Sequence, residues 1–181
     1  VIIFDLDGTL ADCEHRRYFV DPSKNPDCIK TSDFPDVMGY KTYHWECKKS
    51  KKEFKPEWKS FYEACDQDKP ILPVIKILNN LARRNEIEIW SGRCESVREK
   101  TEHWIEFNCF PFTVKNSKLR MRPMGDNTPD DLLKDTWIDI LNVEFPETKI
   151  DFVFDDRPKV RRMWQRRGIF VFNCCQHDQE F

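Results

Sequence analysis

Two short acidic clusters stand near opposite ends of the 181-residue chain: Asp5-Leu6-Asp7-Gly8-Thr9, and Asp155-Asp156-Arg157. Carboxylates two residues apart just past a strand can both turn toward one point, and Gly8 permits the tight turn this needs. A single Asp-x-Asp does no more than cap a turn in many proteins. Brought together with Asp155 and Asp156, the same pair would crowd like charges, each resisting ionisation unless a cation sits among them. A hard cation with oxygen ligands, Mg2+, resolves that conflict. Groups suited to a phosphate lie between the clusters. Ser91 offers a hydroxyl and Gly92 an open backbone amide, at what should be the approach to a helix. Lys134 follows Asp131 by three residues and Asp130 by four, so all three can share one helical face. Taken alone, that lysine reads as half of an ordinary surface ion pair.

These groups can converge only if the right elements carry them. Val1-Ile2-Ile3-Phe4 is a continuous apolar run, the pattern of a strand buried on both faces. Further strands are predicted at Ile87–Trp90, 118–122, Ile150–Phe154 and Ile169–Phe172. A helix opening at Pro73 would turn Val74, Ile77, Leu78 and Leu81 inward, and another would bury Val97, Thr101, Trp104 and Ile105. Thr128-Pro129-Asp130-Asp131 reads as a helix start, with Thr128 as N-cap and Pro129 at the first position. Pro158–Arg167 reads as a helix stopped at Gly168. Strands alternating with helices imply a parallel sheet between two helical layers, a three-layer α/β/α, Rossmann-like core. Asp5/Asp7, Ser91/Arg93 and Asp155/Asp156 each follow a strand, so parallel strands would bring them to one sheet edge, where such folds bind ligands.

Residues 12–68 do not fit this alternation. Pro22, Pro26, Pro35 and Pro56 punctuate the stretch, and apolar residues at 58, 61, 62 and 65 suggest a short helix, Trp58–Cys65. It is too long for a structureless loop. The expected organisation is therefore a core of residues 1–11 and 69–181 with residues 12–68 as an inserted, partly helical cap.

Composition narrows the class. With 39% apolar, 34% charged and 13% aromatic residues, the chain is globular rather than disordered. No apolar run approaches the roughly 18 residues needed to cross a bilayer, and no charged leader precedes Val1, so a cytoplasmic protein without membrane attachment is expected. Eight cysteines without a Cys-x-x-Cys pair, and four scattered histidines, argue for reduced thiols rather than a zinc site. A net charge of −2 carries no overall nucleic-acid signal, but two local runs are basic. Lys41–Lys59 holds seven lysines against three glutamates, and Arg157–Arg167 holds five arginines and a lysine with no acid. Such runs are usually solvated faces unless they lie beside a site that handles anions.

Asp5-Leu6-Asp7-Gly8-Thr9-Leu10, Ser91, Lys134 and Asp155-Asp156 together resemble the four signatures of the haloacid-dehalogenase (HAD) phosphohydrolase superfamily, in order and over nearly the whole chain apart from the cap. A narrower resemblance lies in Ser91-Gly92-Arg93, Leu119-Arg120-Met121-Arg122-Pro123, Asp130-Asp131-Leu132-Leu133-Lys134, Asp155-Asp156-Arg157, Val160–Trp164 with Gly168, and the terminal Asp178–Phe181. These are similar to the phosphatase domain of phage-type polynucleotide kinase/3′-phosphatases. No Gly-x-x-x-x-Gly-Lys-Ser/Thr occurs, so an ATP-binding kinase half is not expected in this chain. The cap is longer than that group's usual intervening segment.

The resemblance implies Asp5 as a nucleophile forming an aspartyl-phosphate and Asp7 as general acid and base. It implies magnesium held by Asp5, the Leu6 carbonyl and Asp155, with Asp156 as a further ligand and Asp7 contributing through its backbone or from outside the ligand set. Ser91 and Lys134 would hold the transferred phosphoryl group. Thr9, Gly92, Arg16, Arg93 and Arg122 are expected around the phosphate, with Asp130 orienting the basic groups and Arg157 at the mouth of the site. The cap's Lys48, Lys49, Lys51, Lys52 and Lys55, interleaved with Tyr43, Trp45, Phe54 and Trp58, would suit a nucleotide or a strand end. The leading expectation is a magnesium-dependent phosphomonoesterase acting on nucleic-acid 3′ ends. The alternative is the same chemistry on nucleoside monophosphates. A non-catalytic phosphate-binding module should have lost Asp5 or Asp7, and both are present.

Overall fold

The computed structural model describes residues 1–31 and 44–175. Pro35, Tyr43 and Asp178–Phe181, singled out in the sequence, lie outside the described residues. The strands are β1 (Ile2–Asp5), β2 (Ala11–Asp12), β3 (Cys28–Thr31), β4 (His44–Cys47), β5 (Lys69–Pro70), β6 (Ile87–Cys94), β7 (Ser117–Arg122), β8 (Phe152–Asp155) and β9 (Val171–Asn173). The helices are α1 (Trp58–Glu63), α2 (Leu72–Leu81), α3 (Arg98–Asn108), α4 (Pro111–Asn116), α5 (Asp130–Glu144) and α6 (Pro158–Arg166). The chain divides into two compact units, one of Val1–Cys13 with Asp66–Phe181 and one of Glu14–Cys65.

The first unit is a five-stranded sheet in the order β7-β6-β1-β8-β9, with every pair parallel. Side chains alternate across it as a strand's period of two demands. Ile2, Phe4, Ile87 and Ile89 face Val74, Leu78, Trp104 and Ile105 of α2 and α3. Ile3, Trp90 and Val153 face Leu133, Trp137, Leu141, Val160 and Trp164 of α5 and α6. The result is the three-layer α/β/α sandwich expected from the alternation. On the second face three indoles pack together, with Trp90 5.6 Å from Trp137 and 5.5 Å from Trp164.

Several boundaries differ from the sequence reading. In α2 the inward residues are Val74, Ile75 and Leu78, and Ile77 is exposed. β6 continues through Ser91-Gly92-Arg93 to Cys94, with a register shift against β7 between Ser91 and Cys94. Its next regular helix starts only at Arg98, after a 3-10 turn at Glu95–Val97. Ser91 and Gly92 therefore lie in a strand, not at a helix N-terminus. α5 starts at Asp130, and Pro129, with ψ 143°, is its cap rather than its first residue.

The second unit holds a 3-10 helix at Glu14–Phe19, the antiparallel pair β3–β4, and α1. The Glu57 amide donates to the Phe19 carbonyl (2.8 Å), tying the start of α1 to the end of that 3-10 helix.

Candidate active site

β1 and β8 are parallel neighbours, with Phe4 opposite Phe154, so the acids that end them emerge side by side. Asp5, Asp155 and Asp156 each offer a carboxylate oxygen, and the three oxygens lie within 4.8 Å of one another. Lys134, buried in the second turn of α5, donates to Asp5 Oδ1 (2.6 Å) and Asp155 Oδ2 (2.8 Å). The Arg157 amide donates to Asp155 Oδ1 (3.0 Å), and Trp164 Nε1 donates to Asp155 Oδ2 (3.4 Å). Lys134 is thus turned to the sheet edge and does not pair with Asp130 or Asp131; Asp131 instead pairs with Lys159 (3.0 Å).

Burial is the largest influence on Asp5. It pushes the carboxyl well above the usual range, Asp155 and Asp156 add to the rise, and Lys134 opposes it. Burial likewise raises Asp156, followed by the neighbouring Asp155. Lys134 is held above its ordinary value, because its two carboxylate partners outweigh the burial that disfavours its charge. Three acids and one lysine leave an excess of negative charge, and Asp156 Oδ1 is buried without a hydrogen-bond partner among the described residues. A buried acceptor left unpaired is costly. An all-oxygen set with an orphaned carboxylate oxygen fits a hard divalent cation.

Asp7 and Gly8 occupy the turn between β1 and β2. The Leu6 carbonyl, expected among the metal ligands, accepts from the Leu10 and Ala11 amides, both at 2.9 Å, and from the Thr9 amide (3.3 Å). Gly8 has φ +89°, and a Cβ there would overlap the Asp156 carboxylate, so two independent constraints require glycine. The Thr9 hydroxyl is buried without a hydrogen-bond partner among the described residues.

Arg93 is fully buried and forks onto Asp7 Oδ1 through Nε (2.8 Å) and Nη2 (2.6 Å). Its Nη2 also donates to Asp68 Oδ2 (2.6 Å), and its Nη1 to Thr101 Oγ1 (3.4 Å). Asp68 was not among the residues expected from sequence. It is buried, and its carbonyl accepts from Trp104 Nε1 (2.7 Å). No motif marks it; Asp68 precedes β5, and only the tertiary fold brings it to Arg93 on β6. Ser91 is fully buried, and its Oγ accepts from the Arg93 amide (3.2 Å).

A second knot adjoins this one. Asp130 is paired to both Arg122 and Arg157. Burial works to raise Asp130, but Arg157, Lys134 and Arg122 prevail and hold it below the usual range. Arg122 also donates to the Gly92 carbonyl (3.0 Å) and the Thr128 carbonyl (2.5 Å), which makes it a strut between β6, β7 and the start of α5. Gly92 is needed for close approach, since a Cβ there would lie 2.8 Å from Asp130 Oδ1. Arg16 belongs to the other unit, where it donates to the Phe61 carbonyl (3.0 Å) and stacks 4.1 Å over the Phe61 ring.

Residues 57–179 match the family described as the polynucleotide kinase PNKP phosphatase domain. The matched stretch takes in Ser91, Lys134, Asp155 and Asp156. A putative bifunctional polynucleotide kinase/RNA ligase of Autographa californica nuclear polyhedrosis virus is 38% identical over 132 residues, covering 70% of this chain and 18% of the relative. The chain thus spans less than a fifth of that relative's length. Among solved structures, a chain of the Pnkp1/Rnl/Hen1 RNA repair complex superposes with TM-score 0.57 at 22% identity, over 96% of this chain and 41% of that one. A haloacid dehalogenase-like hydrolase from Streptococcus pneumoniae superposes with TM-score 0.53 at 15% identity, over 95% of this chain and 82% of that one. Both share the fold.

Proposed function

The chain belongs to the polynucleotide kinase PNKP phosphatase-domain family, and from that premise we propose that it removes the 3′-phosphate from polynucleotide ends, with Asp5 as the nucleophile. The observation that carries this reading is the convergence of Asp5, Asp155 and Asp156 at one sheet edge around the Lys134 ammonium.

A carboxylate must be ionised to attack phosphorus, and burial works against that at Asp5. Lys134 opposes the burial and fixes Oδ1. Asp5, Asp155 and Asp156 would hold a magnesium ion, which when bound offsets the repulsion between carboxylates and phosphate. Asp5 then forms a bond to phosphorus as the bond to the 3′ oxygen breaks, giving an aspartyl-phosphate. Asp7 gives its proton to the leaving oxygen, then takes one from the water that attacks phosphorus and frees both phosphate and Asp5. Arg93 positions Asp7, and Asp68 positions Arg93. Lys134 and the Ser91 hydroxyl stabilise the charge spread over the transferred phosphoryl oxygens. Arg122 and Asp130 act as struts that place Gly92 and Arg157.

We assign the unit Glu14–Cys65 the role of cap. Its exposed Lys48, Lys49, Lys51, Lys52 and Lys55, with Trp45, Phe54 and the half-exposed Trp58, combine cations with rings, as in surfaces that bind single strands.

The test is phosphate release, with magnesium, from a 3′-phosphorylated oligonucleotide, a 5′-phosphorylated one and mononucleotides. Asp5→Asn keeps the side-chain shape, and turnover should fall by about 10³-fold or more. Release confined to 3′ ends supports the reading. Mononucleotides turned over tenfold better would overturn the substrate, and an active Asp5→Asn variant would overturn the mechanism.

A further inference from the structure

β3 and β4 of the unit Glu14–Cys65 pair antiparallel, with Cys28 directly opposite Cys47. Opposed residues point to the same face, and their separation depends on whether the two exchange backbone hydrogen bonds. These two do not. The Cys47 amide donates to the Lys52 carbonyl (2.9 Å), its carbonyl accepts from the Lys51 amide (2.9 Å), and the Cys28 amide donates to the Asn25 carbonyl (3.1 Å). The cross-strand bond is made one position along, from the Lys48 amide to the Asp27 carbonyl (2.8 Å). Cys28 and Cys47 are therefore a non-hydrogen-bonded pair, the closer kind, with Cα atoms about 4.5 Å apart. A disulfide needs a Cα separation of roughly 4.4–6.8 Å, so this bond can close with little backbone movement. Both thiols are free, and no other ladder among the described residues sets two cysteines opposite each other.

The two thiols are also unlike. Cys28 is buried, and burial pushes its thiol up, with Cys47 and Asp27 adding to the rise. Cys47 is half-buried and opens the turn that carries Lys48, Lys49, Lys51 and Lys52. Hydrogen bonds from the Ser50 hydroxyl, then from the Ser50 and Lys49 amides, hold its thiol below the ordinary value. The thiolate is the nucleophilic form of cysteine, so Cys47 is the sulfur that reacts first and Cys28 the one that follows.

We propose that Cys28 and Cys47 form an oxidation site in this unit, where hydrogen peroxide converts the two thiols into a cross-strand disulfide. The Cys47 sulfur attacks one peroxide oxygen, the O–O bond breaks, and the departing hydroxide takes a proton and leaves as water. Cys47 is thereby oxidised to a sulfenic acid. The Cys28 sulfur then attacks the Cys47 sulfur, the S–O bond breaks, and the hydroxyl leaves with the Cys28 proton as a second water. Two thiols and one peroxide give one disulfide and two waters. The new bond closes residues 28–47 into a covalent loop and fixes the strand that leads into the lysine-bearing turn. This site is independent of the 3′-phosphatase reading.

The experiment exposes the reduced 181-residue chain to hydrogen peroxide near neutral pH, alkylates the remaining thiols in denaturant, digests without reductant and maps the peptides by mass spectrometry. The Cys28 and Cys47 peptides should emerge joined, two hydrogens lighter than the reduced pair, and dithiothreitol should separate them. Cys28→Ala should leave Cys47 as a sulfenic acid that dimedone traps, whereas Cys47→Ser should leave Cys28 open to alkylation. Ser50→Ala removes a hydrogen bond from the Cys47 sulfur, so the pH midpoint of the oxidation rate should rise. The map of the parent chain needs no variant and carries the test if Cys28→Ala does not fold. Bridges between other cysteines, with Cys28 and Cys47 alkylated as in the unoxidised chain, would overturn the proposal. Equal dimedone labelling of Cys47 in the parent chain and in Cys28→Ala would overturn it too, because Cys28 would then not be the thiol that resolves the sulfenic acid.

Discussion

Gly8 illustrates how one backbone position can hold two acids in register. Its φ of +89° turns the chain just after Asp7, and its missing side chain leaves room for the Asp156 carboxylate. Gly8→Ala must therefore either strain the turn or displace Asp156. The left-handed conformation alone costs a non-glycine residue about 1–2 kcal/mol. Chemical denaturation should show a loss of at least that size, and the variant should bind magnesium more weakly because one of the three carboxylates proposed to hold it has moved. A variant with unchanged stability and metal response would contradict the tightness of this contact. Asp68 and Arg93 show the opposite situation. Their pair is dry on both sides, with both side chains fully buried. Its importance is invisible to sequence inspection, because the residues come from different elements and neither stands in a repeating pattern.

Elements, rather than single residues, explain what Asp130 does. As the first residue of α5 it joins Arg122, at the end of β7, to Arg157, the cap of α6. The two arginines hold its folded-state pKa below the ordinary value despite burial. A depressed carboxylate stabilises the fold at pH above its unfolded value, near 3.9, and that contribution disappears as pH falls through the lower folded value. Urea denaturation of Asp130→Asn against the parent chain should thus show a difference that is steady near neutrality and shrinks below about pH 4. Its plateau should be on the order of 1–2 kcal/mol, discounted because Arg157 is half exposed. A difference independent of pH would assign the effect to packing. At this scale the sequence was legible where patterns are local. Val1–Phe4 reads as a buried strand because each of its residues is apolar, and the Pro158 helix reads correctly to its glycine stop. It was not legible at Ser91-Gly92-Arg93, whose polarity suggested a strand end. Pairing with β7 across the register shift carries β6 on through those residues. Ile77 likewise fitted the helical spacing, but the sheet is covered by Ile75.

For the whole first unit, the acids at the sheet edge make stability depend on the ion they would hold. A ligand that binds only the folded state adds about 2.7 kcal/mol at a hundred times its dissociation constant. Magnesium should raise the unfolding free energy of the parent chain accordingly, and Asp155→Asn should abolish most of that increment, whatever its own baseline. Equal increments in both proteins would place the ion elsewhere. The placement of Asp5 and Asp155 at one sheet edge followed from the parallel order implied by the alternation of strands and helices, whereas the turn of Lys134 toward them did not. Neither did the placement of Asp68, which lies outside the sheet just before β5. The strand order has a further consequence, in time rather than in space. β1 is made first but sits in the centre of the sheet, registered with Ile87 on one side and Phe152 on the other. A chain emerging from a ribosome therefore carries Asp5 long before anything exists to flank it. Contacts this distant in sequence make folding slow. During synthesis Asp5 remains without Asp155 and Asp156 until β8 arrives, so a partly made chain holds one acid of the cluster but not the cluster.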